Sequence, residues 1–163
     1  MKKFIIFILV IATLAMAGFI VSCNHAEEKQ NEEKIEYTYN VTAEERELLA
    51  RLVFFESSVC SDECQRMICS VVFNRIASGY WGDDIEETIF WPNSFSTAGQ
   101  IRNDPRQPGE REYANVDYIL QHGVTIPPEV RYFRTDHDFG WEGYQNYIVL
   151  DNVYFGYFTN GNH

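Results

Sequence analysis

The sequence predicts an α+β domain, mainly helical, closed by a small antiparallel sheet. Three observations predict it. Apolar residues recur at helical spacing as far as about position 121. Short runs rich in Val, Ile, Tyr and Phe follow the Pro127-Pro128 break. The two kinds of segment are segregated along the chain, where a parallel α/β fold would alternate them.

Each element has its own signal. The first helix begins at Thr42, where Thr42-Ala43-Glu44-Glu45 fits a capping box, and runs to Phe55 or Glu56. The second begins near Ser61, with Asp62 and Glu63 favourably placed against the helix dipole. Its apolar stripe is Cys64, Met67, Ile68, Val71, Val72 and Ile76, and Gly79 supplies the stop. A short helical turn is expected over Asp84–Ile89, then a loop rich in Pro, Asn and Ser from Trp91 to Gly109. A third helix is expected over Glu110–Gln121, followed by Gly123. The strands read as Val130–Arg134 and as Tyr147–Leu150 turning at Asp151-Asn152 into Val153–Phe158. Residues 41–163 suit one domain by length. They show no internal repeat and no glycine-rich phosphate loop.

The start of the chain speaks to location. Lys2 and Lys3 precede an uncharged apolar run, Phe4–Val21, as in a secretory signal. Residues 1–22 read as a lipoprotein signal ending Ile20-Val21-Ser22 before Cys23, the residue that would carry the lipid. Ala15-Met16-Ala17 offers an alternative cleavage site that would release a secreted protein, and an uncleaved anchor is a third reading. All three place the rest of the chain outside the cytoplasmic membrane, in the first on its outer face. Residues 24–40 are rich in Glu, Lys, Gln and Asn and poor in aliphatics, the composition of a flexible tether. Seventeen such residues span roughly 20–25 Å.

Charge excludes some functions. The 163-residue chain carries a net charge of −11. Cleavage before Cys23 leaves 11 basic against 24 acidic residues, net −13. Such acidity argues against a nucleic-acid partner. It gives no electrostatic help with an anionic wall polymer either, so a local cleft must supply any such binding. After lipidation of Cys23, three cysteines remain. A local Cys60–Cys64 disulfide is geometrically open to an extracytoplasmic protein, leaving Cys69 as a small core residue. The spacing is not a zinc finger and no histidine is near in sequence, so no metal and no cofactor is expected. Asp136-His137-Asp138 reads as a solvated loop, since neighbours on an extended segment point different ways.

Glu56 is the most informative residue. Leu48, Leu49, Leu52 and Val53 form a helical stripe, and Glu56 comes next on it. A carboxyl on an apolar face is desolvated, its pKa rises, and it can act as a general acid near neutral pH. The competing reading ends the helix one residue early and solvates the side chain.

Around Glu56 the chain resembles a known family. Leu49-Ala50-Arg51-Leu52-Val53-Phe54-Phe55-Glu56 is followed nineteen residues later by Arg75, closing Val71-Val72-Phe73-Asn74-Arg75. This pairing resembles the opening motif of the cell-wall hydrolase family of the spore cortex-lytic (SleB/CwlJ-type) germination enzymes. Glu87–Ser96, ending Phe95-Ser96, resembles the family's Q-F-S stretch. Val130-Arg131-Tyr132-Phe133 and Asn152-Val153-Tyr154-Phe155 resemble its two later strands.

The resemblance implies a lysozyme-like, transglycosylase-like domain that cleaves peptidoglycan between N-acetylmuramic acid and N-acetylglucosamine, with Glu56 as the catalytic acid. By the lytic transglycosylase mechanism one carboxylic acid suffices and the product is a 1,6-anhydro sugar. A hydrolytic muramidase would need a second carboxylate, and Glu63 matches a family glutamate. Asn74, Phe95, Ser96, Tyr132 and Tyr154 are the residues proposed to bind sugar, with Trp91 and Trp141 as further stacking surfaces. For Asn74 the competing reading is a brace on a neighbouring loop; for the aromatics it is core packing. The chain departs from the family at Ser57-Ser58-Val59-Cys60, at Val153 in place of a histidine, and in the Gly99–Glu110 loop. Those departures keep a third reading open, a non-catalytic wall-binding lipoprotein.

Overall fold

Thr42 and Glu45 start the fold as the sequence predicts. In the computed structural model, which describes residues 39–160, the Thr42 side chain accepts from the Glu45 N–H at 3.1 Å. The Glu45 carboxylate accepts from the Thr42 N–H at 2.8 Å. Two orphan donors are thereby satisfied, and α1 runs Ala43–Ser57. The expected signal, Cys23 and most of the tether lie outside the described residues. No helix among the described residues is long and apolar enough to cross a membrane.

Helix α2 spans Asp62–Ser78, capped by Ser61 and closed by Gly79 in the left-handed conformation. It is the central element. Cys69, Val72 and Phe73 pack against Leu49, Leu52 and Val53 of α1, and against Val116, Ile119 and Leu120 farther on. Cys64, Met67, Ile68 and Val71 pack against Val130, Val153 and Phe155. An apolar side chain fully removed from water contributes about 1.5–3 kcal/mol, so the two clusters hold the helical and sheet parts together through one helix. The predicted single stripe understates this. Gln65, Ser70, Asn74 and Arg75 are buried as well.

Helix α3 spans Ile85–Phe90, capped by Asp84. The expected loop after it contains an additional short helix, α4, Ala98–Asn103. Helix α5 spans Glu110–His122 and ends at Gly123. A bidentate pair, Arg46 to Asp117 at 2.6 and 2.7 Å, ties α1 to α5.

The sheet is antiparallel with order β1-β3-β2. Strand β1 is Tyr132–Thr135, β2 is Tyr144–Leu150 and β3 is Val153–Phe158. Three strand boundaries differ from expectation, one of them only by the extra residue Thr135 at the end of β1. Val130 belongs to a turn, its N–H bonded to the Pro127 carbonyl at 3.0 Å. Strand β2 starts three residues before Tyr147, because a bulge between Asn146 and Ile148 interrupts the alternation that would reveal it. Asp151 and Asn152 both have positive φ, 51° and 63°, as a two-residue hairpin turn demands. The carboxylate of Asp151 also accepts from the Ser61 N–H at 2.7 Å, which fastens the hairpin to the start of α2.

Candidate functional site

Helix α1 continues through Ser57, so Glu56 lies inside it and the early-stop reading fails. Its side chain is half-buried in a cleft of about 390 Å³. The walls come from the segment after α3 (Asn93, Ser94, Phe95, Ser96), from β1 (Tyr132 to Thr135) and from the loop beyond it (Phe139, Trp141), with Arg75 and Trp81 completing them. Burial pushes the Glu56 carboxyl above the ordinary glutamate range. Two bonds from Thr97 and the charge of Arg75 oppose that rise without cancelling it.

Thr97 is the closest polar partner. Its hydroxyl donates to Glu56 Oε1 at 2.6 Å, and its backbone bonds the same carboxyl. Thr97 is also the N-cap residue of α4, yet its side chain makes no capping bond. A missing cap costs a helix about 1 kcal/mol, and here the hydroxyl serves the carboxyl instead. Sequence reading did not select Thr97. The only signal was its position, next to the Phe95-Ser96 pair.

Arg75 is buried beneath the cleft. Its Nε donates to the Arg131 carbonyl at 2.8 Å. Its Nη1 donates to the Ser94 carbonyl at 3.0 Å and to Ser94 Oγ at 2.7 Å. The guanidinium lies over the Phe95 ring, 4.4 Å from its centroid. Burial lowers its pKa to about 10, so it stays cationic at neutral pH. One residue therefore locks two walls and places a positive charge near Glu56. Sequence reading quoted Arg75 in a motif without giving it this role.

The backbone of the α3–α4 segment is shaped for the purpose. Asn93 adopts a left-handed φ of 60°, which Asn tolerates better than most residues. Arg51 braces the segment after Thr97 from below. It donates to the carbonyls of Ile101, Asp104 and Arg106 at 2.9, 2.7 and 3.0 Å. Helix α1 thus carries Glu56 and, one turn and a half earlier, the residue that fixes its partner loop.

Of the residues proposed to bind sugar, Phe95, Ser96 and Tyr132 line the cleft with Glu56. Phe95 belongs to the core as well. Trp141 lines the cleft too, while Trp91 lines a neighbouring hollow. Asn74 and Tyr154 are not among the lining residues. Asn74 donates to the carbonyls of Pro127 and Val130 at 2.8 and 3.0 Å, so the loop brace is its role in this structure. Tyr154 sits on β3 opposite Arg134 and Val149. Glu63 lies in a separate hollow with Arg66, Met67 and Tyr118. Asp136, His137 and Asp138 are exposed, as expected.

Cys60, Cys64 and Cys69 are free and buried. Burial pushes the Cys64 and Cys69 thiols up, for Cys64 with the neighbouring Cys60 adding to the rise. The Cys60 and Cys64 sulfurs and an Asp151 oxygen lie within 4.8 Å of one another, the one grouping among the described residues with the donor atoms for a metal ion. Sequence spacing could not reveal it, since Asp151 arrives from the far hairpin. None of these residues lines the Glu56 cleft.

No family model, no curated protein and no solved structure matches the chain.

Proposed function

We propose that this domain cleaves the glycan strand of peptidoglycan as a lytic transglycosylase, on a lysozyme-like arrangement of its helices and sheet. One observation carries the reading. Among the described residues, Glu56 is the one carboxyl group lining the cleft, and burial favours its protonated form. The motif resemblance points to the same residue and the same substrate.

Glu56 in its acid form donates its proton to the glycosidic oxygen between N-acetylmuramic acid and N-acetylglucosamine. The C1–O bond breaks and the leaving sugar departs with that proton. The Glu56 carboxylate then takes the proton of the muramyl C6 hydroxyl as O6 attacks C1. A 1,6-anhydro ring forms, no water is consumed, and Glu56 is again protonated. Hydrolysis with two carboxyl groups would need a partner about 5–9.5 Å from Glu56. The cleft lining offers none, and Glu63 faces another hollow. Thr97 holds the carboxyl in place through both proton transfers, and Arg75 stabilises the moment when it is ionised.

The test is Glu56→Gln on purified peptidoglycan. Loss of a general acid–base group lowers kcat by about 10²–10⁴-fold. Solubilisation by Glu56→Gln at the wild-type rate would refute the proposal, and tight sedimentation with the wall without products from either protein would favour the wall-binding reading.

A further inference from the structure

Asp151 is far from Cys60 and Cys64 in sequence and meets both in space. It stands in the turn between β2 and β3 with a left-handed φ of 51°, and its carboxylate reaches the start of α2. Cys60 lies in the turn between α1 and α2, and Cys64 lies in the first turn of α2. The two sulfurs and an Asp151 oxygen fall within 4.8 Å of one another. Three donor atoms from three parts of the chain therefore converge on one point.

The spacing suits an ion. Tetrahedral bonds of about 2.0–2.3 Å to oxygen and sulfur put neighbouring donors about 3.5–3.8 Å apart. A contraction of about 1 Å at most brings these three to that separation. The donor types say which ion. Calcium and magnesium take oxygen ligands, whereas paired thiolates select zinc and similar ions. Both cysteines are free thiols. A disulfide would use two of the three donors and close the sulfurs to about 2.05 Å; an ion uses all three.

The surroundings fit as well. Asp151 Oδ2 accepts from the Ser61 N–H at 2.7 Å and from Ser61 Oγ at 2.5 Å. Carboxylates that ligate metals are held by such outer bonds. The Cys60 N–H donates to the Ser57 carbonyl at 2.9 Å, which fixes the turn. Cys64 sits where the positive end of the α2 dipole favours an anionic sulfur. Both cysteines are buried in the apolar cluster with Met67, Ile68 and Val153. A bare thiolate is costly in such a place unless a cation meets it. Two thiolates and one carboxylate carry three negative charges, and a divalent ion leaves one. Arg111, whose Nη2 donates to the Cys60 carbonyl at 2.5 Å, stands beside that remaining charge.

We propose that Cys60, Cys64 and Asp151 bind a zinc-class divalent ion, with water as the fourth ligand, as a structural clamp between the α1–α2 turn and the β2–β3 hairpin. On binding, each thiol gives up its proton to solvent and its sulfur lone pair to the ion, and no electron is transferred. None of the three residues lines the Glu56 cleft, so the clamp does not rest on the cleavage reading.

The experiment uses the full chain carrying Cys23→Ser, reduced and then freed of reductant and chelator. Zinc is titrated by calorimetry in two buffers of different ionisation enthalpy, and cobalt by absorbance. One ion binds per chain and releases about two protons. Cobalt gives a thiolate charge-transfer band and the strong visible bands of a tetrahedral site. Zinc raises the melting temperature, and a chelator reverses the rise. Loss of an outer partner alone costs about 10–100-fold in metal affinity. Cys64→Ser and Asp151→Asn, which remove ligands, cost at least that, while Cys69→Ala in the other cluster costs nothing. Alkylation of the parent, mapped by mass spectrometry, shows zinc shielding Cys60 and Cys64, a result that needs no substitution to fold. Absence of stoichiometric binding by the reduced parent overturns the clamp, as does binding indifferent to Cys64→Ser. Closure of a Cys60–Cys64 disulfide in air under saturating zinc overturns it too.

Discussion

At the residue scale, Glu56 sits between opposing influences of known sign. Burial favours the neutral acid, while Thr97 and Arg75 favour the carboxylate. Removing an opposing term must therefore raise the pKa. Thr97→Val keeps the shape and deletes the 2.6 Å hydroxyl bond. The acid form then persists to higher pH, and the basic limb of the pH–rate profile moves upward. A downward move, or none, would contradict the assignment of Thr97.

The same shift links to stability. A carboxyl whose folded pKa is raised binds protons more tightly when folded. Its ionisation therefore weakens the fold as pH rises from the ordinary glutamate value through the raised one. Glu56→Gln removes that cost. The variant should melt at higher temperature than wild type at neutral pH, with the gap closing in acid below the ordinary glutamate range. Calorimetry at several pH values measures it. A melting difference independent of pH would show that Glu56 is not desolvated.

At the scale of elements, two buried side chains on helices hold the loops that form the cleft. Asn74→Ala leaves the Pro127 and Val130 carbonyls without their donor. That should cost about 1–3 kcal/mol of stability in denaturant titration, with little change in activity per folded molecule. A large loss of kcat with unchanged stability would return Asn74 to the binding residues. Arg51→Lys cannot reproduce a guanidinium that reaches three carbonyls. It should lower stability by about 1–3 kcal/mol and loosen the segment carrying Thr97.

How much of this was legible depends on whether the signal is local. The Thr42–Glu45 box, the Ser61 cap and the Gly79 and Gly123 stops are set by neighbours in sequence, and the helices they bound were readable. Helix α4 was not. It buries one side chain, Ile101, and its N-cap hydroxyl is turned to Glu56, so neither periodicity nor capping announces it. The start of β2 was hidden by its bulge and by Gln145 and Asn146. Within the cleft, Glu56 broke an apolar stripe and could be found. Arg75 was visible as the end of a motif nineteen residues on, but not in its role, and Thr97 and Trp81 become neighbours of the cleft only through the fold.

At the scale of the whole molecule, charge works against the proposed substrate. The chain carries −11, and peptide-bearing wall glycan is itself anionic. Repulsion reaches about 30 Å at 0.01 M salt and about 8 Å at physiological strength. Wall binding should therefore strengthen as salt rises over that range, opposite to a basic protein. Weakening with salt, in a sedimentation assay, would mean that charge attraction drives the encounter.

The most direct measurement is mass spectrometry of the soluble products from purified peptidoglycan, treated with the wild-type chain and with Glu56→Gln. A single half-buried acid in the cleft predicts 1,6-anhydromuramyl ends from the wild type and none from the variant. Reducing muramic acid ends would make water the nucleophile, and anhydro products undiminished in Glu56→Gln would remove Glu56 from the chemistry.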